Sequence, residues 1–140
     1  MINIMRYLMF LTFFTSPFGF SRSLIIIPPG VYSYTQKGEE LIGGQQASIT
    51  WNIEIKNSYN AILTVSSWHA PIACDGSYII SNGKDYVALS WSGVINVTTE
   101  CDLPSPQIFM KKSSAGDVFI RSELFVWGNK DWKKPSKLYW

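Results

Sequence analysis

Apolar and polar residues alternate without a break from Ala47 to Lys56. The apolar positions are Ile49, Trp51, Ile53 and Ile55, and the polar positions are Thr50, Asn52, Glu54 and Lys56. Because successive side chains of a β-strand point to opposite sides, this period of two predicts a strand with one buried face. The residues after position 23 lack the spacing of an amphipathic helix. We therefore expect an all-β fold.

Other runs rich in β-branched and aromatic residues are separated by turn-forming residues about every ten positions, which is typical of a β-sandwich or a closed sheet. These runs predict strands at 61–66, 77–81, 85–91, 94–99, 107–111 and 117–127. Asn82-Gly83 lies between two of them and predicts a tight hairpin, because both residues tolerate a positive φ. In the last run we expect one face to carry Val118, Ile120, Leu124 and Val126.

Residues 1–23 have the composition of a secretory signal peptide. Arg6 precedes an apolar run from Tyr7 to Phe14, and Pro17 breaks the chain soon after it. This order of charge and hydrophobicity is that of an export signal, and the run is shorter than a membrane span. We therefore expect an exported protein. An uncleaved membrane anchor is the alternative, because the cleavage region lacks the usual small-residue pattern.

Cleavage between Gly19 and Ser23 is expected to leave one β-sandwich domain over residues 24–127 and a polar C-terminal tail over residues 128–140. No stable membrane span is expected after cleavage. The tail contains Lys130, Lys133, Lys134 and Lys137, which we expect to be solvated. A net charge of +2 does not indicate nucleic acid as a partner.

Cys74 and Cys101 are the only cysteines in the chain. In an exported protein such a pair is more often a disulfide than a metal site. Their wide separation also differs from the Cys-x-x-Cys spacing of redox enzymes. We expect a disulfide that stabilises the fold by about 3–4 kcal/mol.

The sequence contains no recognisable arrangement for catalysis, metal binding or cofactor binding. His69 is the only histidine, and its neighbours are apolar loop residues. A G-x-S-x-G elbow and a phosphate-binding glycine loop are both absent from the sequence. We expect no enzymatic activity, no cofactor and no bound metal.

Six tryptophans are a large number for a chain of this length. Trp68 and Trp91 border predicted turns, where exposed aromatic side chains often contact sugars or protein surfaces. Either is therefore a candidate ligand contact. The alternative is that they pack in the core beside the disulfide.

The segment 101–126 resembles the closing part of bacterial fimbrial subunits assembled by the chaperone–usher route. It begins with Cys101-Asp-Leu-Pro-Ser-Pro, continues through a short strand at 107–111, and ends in a strand launched by Ala115-Gly116. The resemblance is nearest to pilin domains of the colonisation-factor type. It implies an immunoglobulin-like β-sandwich with an incomplete strand set, completed by a strand from a neighbouring subunit.

The resemblance also implies partners and roles for particular residues. The donor strand would be Leu24, Ile25, Ile26 and Ile27, and the strand facing a chaperone or subunit would carry Val118, Ile120, Leu124 and Val126. The partners would be a periplasmic chaperone, neighbouring fimbrial subunits and a host-surface receptor. The protein would cross the periplasm and reach fimbriae on the cell surface, where it would mediate adhesion.

The same residues allow an alternative interpretation. The segment from Leu24 to Ile27 is equally compatible with the first strand of a complete sandwich. The chain would then be a self-contained exported binding module, such as a periplasmic inhibitor or immunity protein.

Overall fold

A computed structural model describes residues 24–138. The expected signal peptide and the last two residues of the expected tail lie outside the described residues. The strands are β1 (Gly30–Glu40), β2 (Gln46–Ile55), β3 (Asn60–Trp68), β4 (Gly76–Asn82), β5 (Val87–Trp91), β6 (Ile108–Lys112), β7 (Val118–Ser122) and β8 (Ser136–Leu138). Within this part of the chain, no helix is long and apolar enough to span a bilayer.

All eight strands belong to one antiparallel sheet with the order β7-β6-β5-β4-β3-β2-β1-β8. The predicted all-β class with one disulfide is confirmed, and the curled sheet is consistent with an incomplete β-sandwich. From β1 to β7 each strand pairs with the next one in the chain. Among the described strands, this sequential connectivity replaces the Greek-key crossovers found in immunoglobulin domains.

The core lies on the concave side of the curled sheet and is built by alternating residues. The alternation predicted for Ala47 to Lys56 is confirmed, because its apolar positions are buried along β2. The largest fully buried side chains are Trp51, Tyr32, Tyr78, Ile53, Ile55, Leu63, Leu89, Ile108, Met110 and Ile120. Burying each large aliphatic side chain contributes about 1.5–3 kcal/mol, so this face dominates the stability of the sheet.

The hairpin predicted at Asn82-Gly83 forms between β4 and β5. Its connection is longer than a two-residue turn, because Asn82 pairs with Val87 and residues 83–86 form the loop. The Gly83 N–H donates to the carbonyl of Tyr86 at 2.8 Å, which closes this loop.

Strand β1 is absent from the sequence-based prediction. Its inward positions are Tyr32, Tyr34 and Gln36, which do have a period of two. The pattern is obscured because Gln36 is polar and yet buried, with only 7 % of its surface exposed. Its amide is satisfied internally, as described below.

The strand predicted at 94–99 is wrong, because these residues form a loop. Gly93 and Asn96 have φ values of 69° and 58°, which a β-strand does not accommodate. The Thr98 N–H donates to the Asp75 carboxylate instead of to a neighbouring strand. The Asp75 side chain thus accepts the hydrogen bond that the carbonyl group of a neighbouring strand would accept in a sheet.

The long final strand predicted at 117–127 is also wrong, because β7 ends at Ser122. The Ser122 hydroxyl accepts the Leu124 N–H at 3.0 Å, and its carbonyl accepts the Phe125 N–H at 3.4 Å. This turn brings Leu124 and Phe125 back into the core and leaves Val126 53 % exposed. Val126 therefore does not share the buried face of Ile120.

The segment expected to be a solvated tail contributes strand β8. Ser136–Leu138 pairs with residues 31–33 of β1. Upstream, Lys133 and Ile120 exchange two backbone hydrogen bonds of 2.7 and 2.8 Å. Residues 133–138, which we call the closing segment, are therefore bonded to both β7 and β1. The sheet is joined to itself through this segment.

The second half of β1 is covered by the turn that follows β7. The Gln36 amide donates to the Trp127 carbonyl at 2.7 Å and accepts the Trp127 N–H at 3.2 Å. The indole of Trp127 lies directly over Gly38, where a Cβ atom would clash with the ring. The side chain of Gln36 thus makes, with the backbone of Trp127, the pair of hydrogen bonds that the backbone of a neighbouring strand would make.

We predict that Gly38→Ala destabilises the protein by about 1–3 kcal/mol, because the new methyl group must displace the Trp127 ring. Denaturant unfolding measures this change. In a Trp127→Ala background the same substitution should cost little, because the obstructing ring is gone. Equal costs in both backgrounds would contradict this packing.

Candidate functional site

The connections at one end of the sheet form the candidate functional site. Sequential antiparallel strands place the connections at 41–45, 69–75 and 92–107 at the same end, together with the turn at 123–128. We call this group of connections the loop end. The opposite end carries the shorter connections 56–59, 83–86 and 113–117.

A disulfide joins two of these connections. The predicted Cys74–Cys101 bond is confirmed, with Cα atoms 4.3 Å apart. It ties the β3–β4 loop to the β5–β6 loop, and Cys74 is fully buried. Closing the chain between residues 27 positions apart is worth about 3–4 kcal/mol in the chain-entropy model.

Asp75 anchors the β5–β6 loop from beneath. Both of its carboxylate oxygens lie 3.0 Å from the Thr98 nitrogen, and the Thr98 hydroxyl donates to one of them at 2.6 Å. Burial raises the pKa of Asp75, but hydrogen bonds from the Thr98 side chain and from the backbone of Thr98, Thr99 and Asp75 itself together more than offset this effect. Its pKa therefore lies below the ordinary value, and the anchor is a carboxylate at neutral pH.

Tyr78 supports the same anchor from within the core. Its hydroxyl donates to the Cys74 carbonyl. Burial raises the pKa of Tyr78 well above its usual range, and the nearby Asp75 charge adds to this rise. Tyr78 consequently remains a hydrogen-bond donor at neutral pH.

Trp91, one of the two predicted contact residues, serves the internal structure of the loop end. Its indole N–H donates to the Asp75 carbonyl at 2.8 Å. A Cβ atom at Gly93 would lie 2.8 Å from its ring, so the chain passes closely over the indole. Trp91 is half-buried and orients the start of the β5–β6 loop.

Trp68, the second predicted contact residue, is 46 % exposed at the end of β3. It packs edge-to-face against His69, with ring centroids 4.8 Å apart.

The loop end carries further exposed apolar side chains, which are Ile42, Val94, Ile95 and Val97. Three non-glycine residues there have positive φ, namely His69, Cys74 and Asn96 at 59°, 61° and 58°. Such backbone conformations concentrate at functional sites.

The predicted donor residues lie near the opposite end. Ile27 is buried and Ile25 packs partly against the core, whereas Leu24 and Ile26 are 68 % and 55 % exposed. The segment has no strand assignment, and it borders a small cavity with Ile55. Buried and exposed side chains therefore alternate along this segment as they do along a strand. Its backbone, however, is not paired with any strand of the sheet. Its role as a donor stays a prediction.

The predicted subunit-facing strand lies at an edge of the sheet. Val118 is partly buried, Ile120 is fully buried, and Leu124 reaches the core from the turn after β7. The backbone N–H and carbonyl of Ile120 are both bonded to Lys133 of the same chain. The middle of this edge is therefore occupied.

No group of three His, Cys, Asp or Glu side chains is placed to hold a metal ion within residues 24–138. The roles of Asp75 and Thr98 cannot be predicted from the sequence, because the two residues are 23 positions apart in the chain. The loop end becomes visible only once the disulfide and strand order are known.

Comparisons with known proteins identify no relative. No protein-family model, curated protein or solved structure matches the chain. A functional proposal therefore depends on the geometry described above.

We predict that Thr98→Val lowers the stability at pH 7 by about 1–3 kcal/mol, because it removes a hydrogen bond to a charged group. The folded-state pKa of Asp75 is lowered, so this stabilisation is complete above its ordinary pKa of about 3.9. It is lost as the pH falls below that value. Unfolding of the wild type and the variant across this range measures the effect.

Thr99→Val is the matched control for this prediction. The Thr99 hydroxyl donates to the uncharged carbonyl of Ile72 at 2.8 Å, so its contribution should not change with pH in this range. An equally large pH dependence in the two variants would contradict the assigned role of Asp75.

Proposed function

We propose that the chain is a self-contained exported binding module that docks on a protein partner through its loop end. The observation that carries this proposal is the closing segment. It is bonded to β7 through Lys133 and to β1 through Ser136–Leu138. A sheet edge left open presents unpaired N–H and carbonyl groups that recruit other chains. Here Lys133 of the same chain is bonded to the edge strand β7 at Ile120, and the short strand β8 covers β1.

The N-terminal segment supports the same proposal. Ile25 and Ile27 pack against the hydrophobic core of their own chain. The groove that a neighbouring subunit would fill is thus partly occupied from within. A domain of this kind has no structural need for strand donation.

The loop end has properties suited to protein binding. It combines an exposed tryptophan with exposed aliphatic side chains on loops, and such loops on a rigid scaffold commonly carry recognition. Tryptophan is enriched among residues that dominate binding energy. The disulfide and the Asp75–Thr98 bonds hold the β5–β6 loop in place, which reduces the ordering cost of association.

The proposed location is a compartment outside the cytoplasm. The signal-like residues 1–23 and the disulfide both favour an oxidising environment. A periplasmic inhibitor or immunity protein that caps an enzyme combines export, small size and a loop-based binding surface. We favour this class.

A fimbrial subunit that mediates cell adhesion is the second candidate. The observation in its favour is the segment from Leu24 to Ile27, which is held by alternate side chains outside the sheet ladder. A segment held in this way is easier to exchange between chains than a paired strand. The partners would then be a periplasmic chaperone, neighbouring subunits and a host receptor.

One experiment separates the two candidates. Protein purified after export, with its disulfide intact, is analysed by light scattering and denaturant unfolding, with and without a peptide of residues 24–32. We predict a monomer that unfolds in one cooperative transition and does not respond to the peptide. Polymerisation of the intact chain would contradict the binding-module proposal and support the fimbrial one.

Two substitutions at one position refine the test. Lys133→Pro removes the N–H that donates to Ile120, whereas Lys133→Ala keeps it. We predict that only the proline variant self-associates, because it frees the edge of β7. Equal association of both variants would show that this hydrogen-bonded pair does not protect the edge.

A further inference from the structure

Aromatic and cationic side chains alternate on the outer face of strands β6 and β7. Phe109 lies directly opposite Arg121, and Lys111 lies directly opposite Phe119. Their neighbours Ile108, Met110 and Ile120 point into the core, so these four side chains face outward. The cross-strand register therefore places each cation beside a phenyl ring.

Trp132 covers this arrangement from the chain just before the closing segment. The Lys111 ammonium lies 4.4 Å from the Trp132 ring centroid, and the Arg121 guanidinium carbon lies 5.0 Å from it. Arg121 is also 5.3 Å from the Phe109 ring, which in turn packs edge-to-face with Tyr86 at 5.2 Å. We call these six residues, including Phe119, the basic aromatic face.

The two cations of this face have no acidic partner among residues 24–138. The ion pairs in this range involve Lys56, Lys130 and Lys134. Side-chain hydrogen bonds from Lys111 or Arg121 are likewise absent there. The planar guanidinium of Arg121, which can donate two parallel hydrogen bonds to a carboxylate, is thus available to another molecule.

Charge is unevenly distributed between this region and the rest of the domain. Residues 111–137 contain seven basic residues (Lys and Arg) and three acidic ones (Asp and Glu). Residues 24–110 contain three basic residues and seven acidic ones. The first region is therefore formally +4 and the second −4. The balanced total conceals a basic side, which attracts acidic partners and speeds their association.

We propose that the basic aromatic face binds a carboxylate-rich surface of the protein partner, with Arg121 and Lys111 as the carboxylate receptors. This inference rests on the proposed binding function and adds, to the loop end, a second contact surface on the outer face of β6 and β7. A shallow cavity of about 180 Å³ lies beside Arg121, lined by Phe109, Ser122, Glu123 and Lys130. An acidic side chain entering it would meet Arg121, since Lys130 is already paired with Glu123.

The composition of the face favours the carboxylates of a polypeptide over a phosphate or sulfate polyanion. Arginine, tryptophan and tyrosine are the residues enriched at protein interfaces. Acidic side chains also interrupt the basic region, since Asp117 and Glu123 lie within it and the Glu123 side chain is 71 % exposed. These carboxylates would repel a densely charged phosphate or sulfate chain, whereas the carboxylates of a polypeptide can lie between them and be received by the planar guanidinium of Arg121.

The test measures binding of poly-L-glutamate and of a sulfated polysaccharide to protein purified after export. Indole N–H signals in ¹⁵N NMR spectra report the contact, and Trp132→Phe assigns the Trp132 signal. We predict that poly-L-glutamate shifts the Trp132 signal and leaves the Trp68 signal unchanged. A shift produced only by the sulfated polysaccharide would overturn the proposal in favour of a polyanion site.

Matched variants separate recognition from general charge. K111Q/R121Q and K37Q/K84Q remove the same number of positive charges, but only the first alters the basic aromatic face. We predict that the first weakens poly-L-glutamate binding at least about tenfold and that the second has a smaller effect. Equal weakening by both variants would contradict the proposal.

Arg121→Lys provides a variant that keeps the charge. It retains a cation over the rings but loses the planar pair of donors, so weaker binding with unchanged unfolding is expected. Unchanged binding would overturn the role of Arg121 as a carboxylate receptor.

All variants are checked to be monomeric and to unfold in one cooperative transition. A monomer without poly-L-glutamate binding would refute this inference alone, whereas polymerisation of the wild type would refute the proposed function.

Discussion

The paired backbone hydrogen bonds between Ile120 and Lys133 are the contact on which the architecture depends. They connect β7, the last strand of the sequential sheet, to the segment whose other end pairs with β1. Without this contact the edge of β7 would present unpaired backbone groups at Ile120, which favour association with other chains. With it, the closing segment of the same chain bridges β7 and β1.

Closure also determines which surfaces remain for recognition. The loop end gains its order from the disulfide and from Asp75, which replaces a strand as the acceptor for Thr98. The basic aromatic face gains its shape from Trp132, which lies next to Lys133 and is positioned by the same closing contact. Both candidate surfaces thus depend on long-range contacts between parts of one chain.

The sequence predicts those features that are local or governed by period-two patterning. The alternation from Ala47 to Lys56 and the disulfide are confirmed, because strict periodicity and an isolated cysteine pair leave few alternatives. Strand β1 was missed because the inward Gln36 is satisfied by a distant backbone. Residues 94–99 were misassigned because Asp75, far away in the chain, binds their backbone. Sequence patterns carry no signal for such long-range hydrogen bonds.

Amide hydrogen exchange at Ile120 and Lys133 tests the closure of the sheet most directly. Their N–H groups are each bonded across the seam and should exchange as slowly as the amides of the central strands β2 and β3. Exchange at the rate of exposed loops, with β2 and β3 still protected, would show that the seam is open. The domain would then present a free edge, and the self-contained binding module would be contradicted.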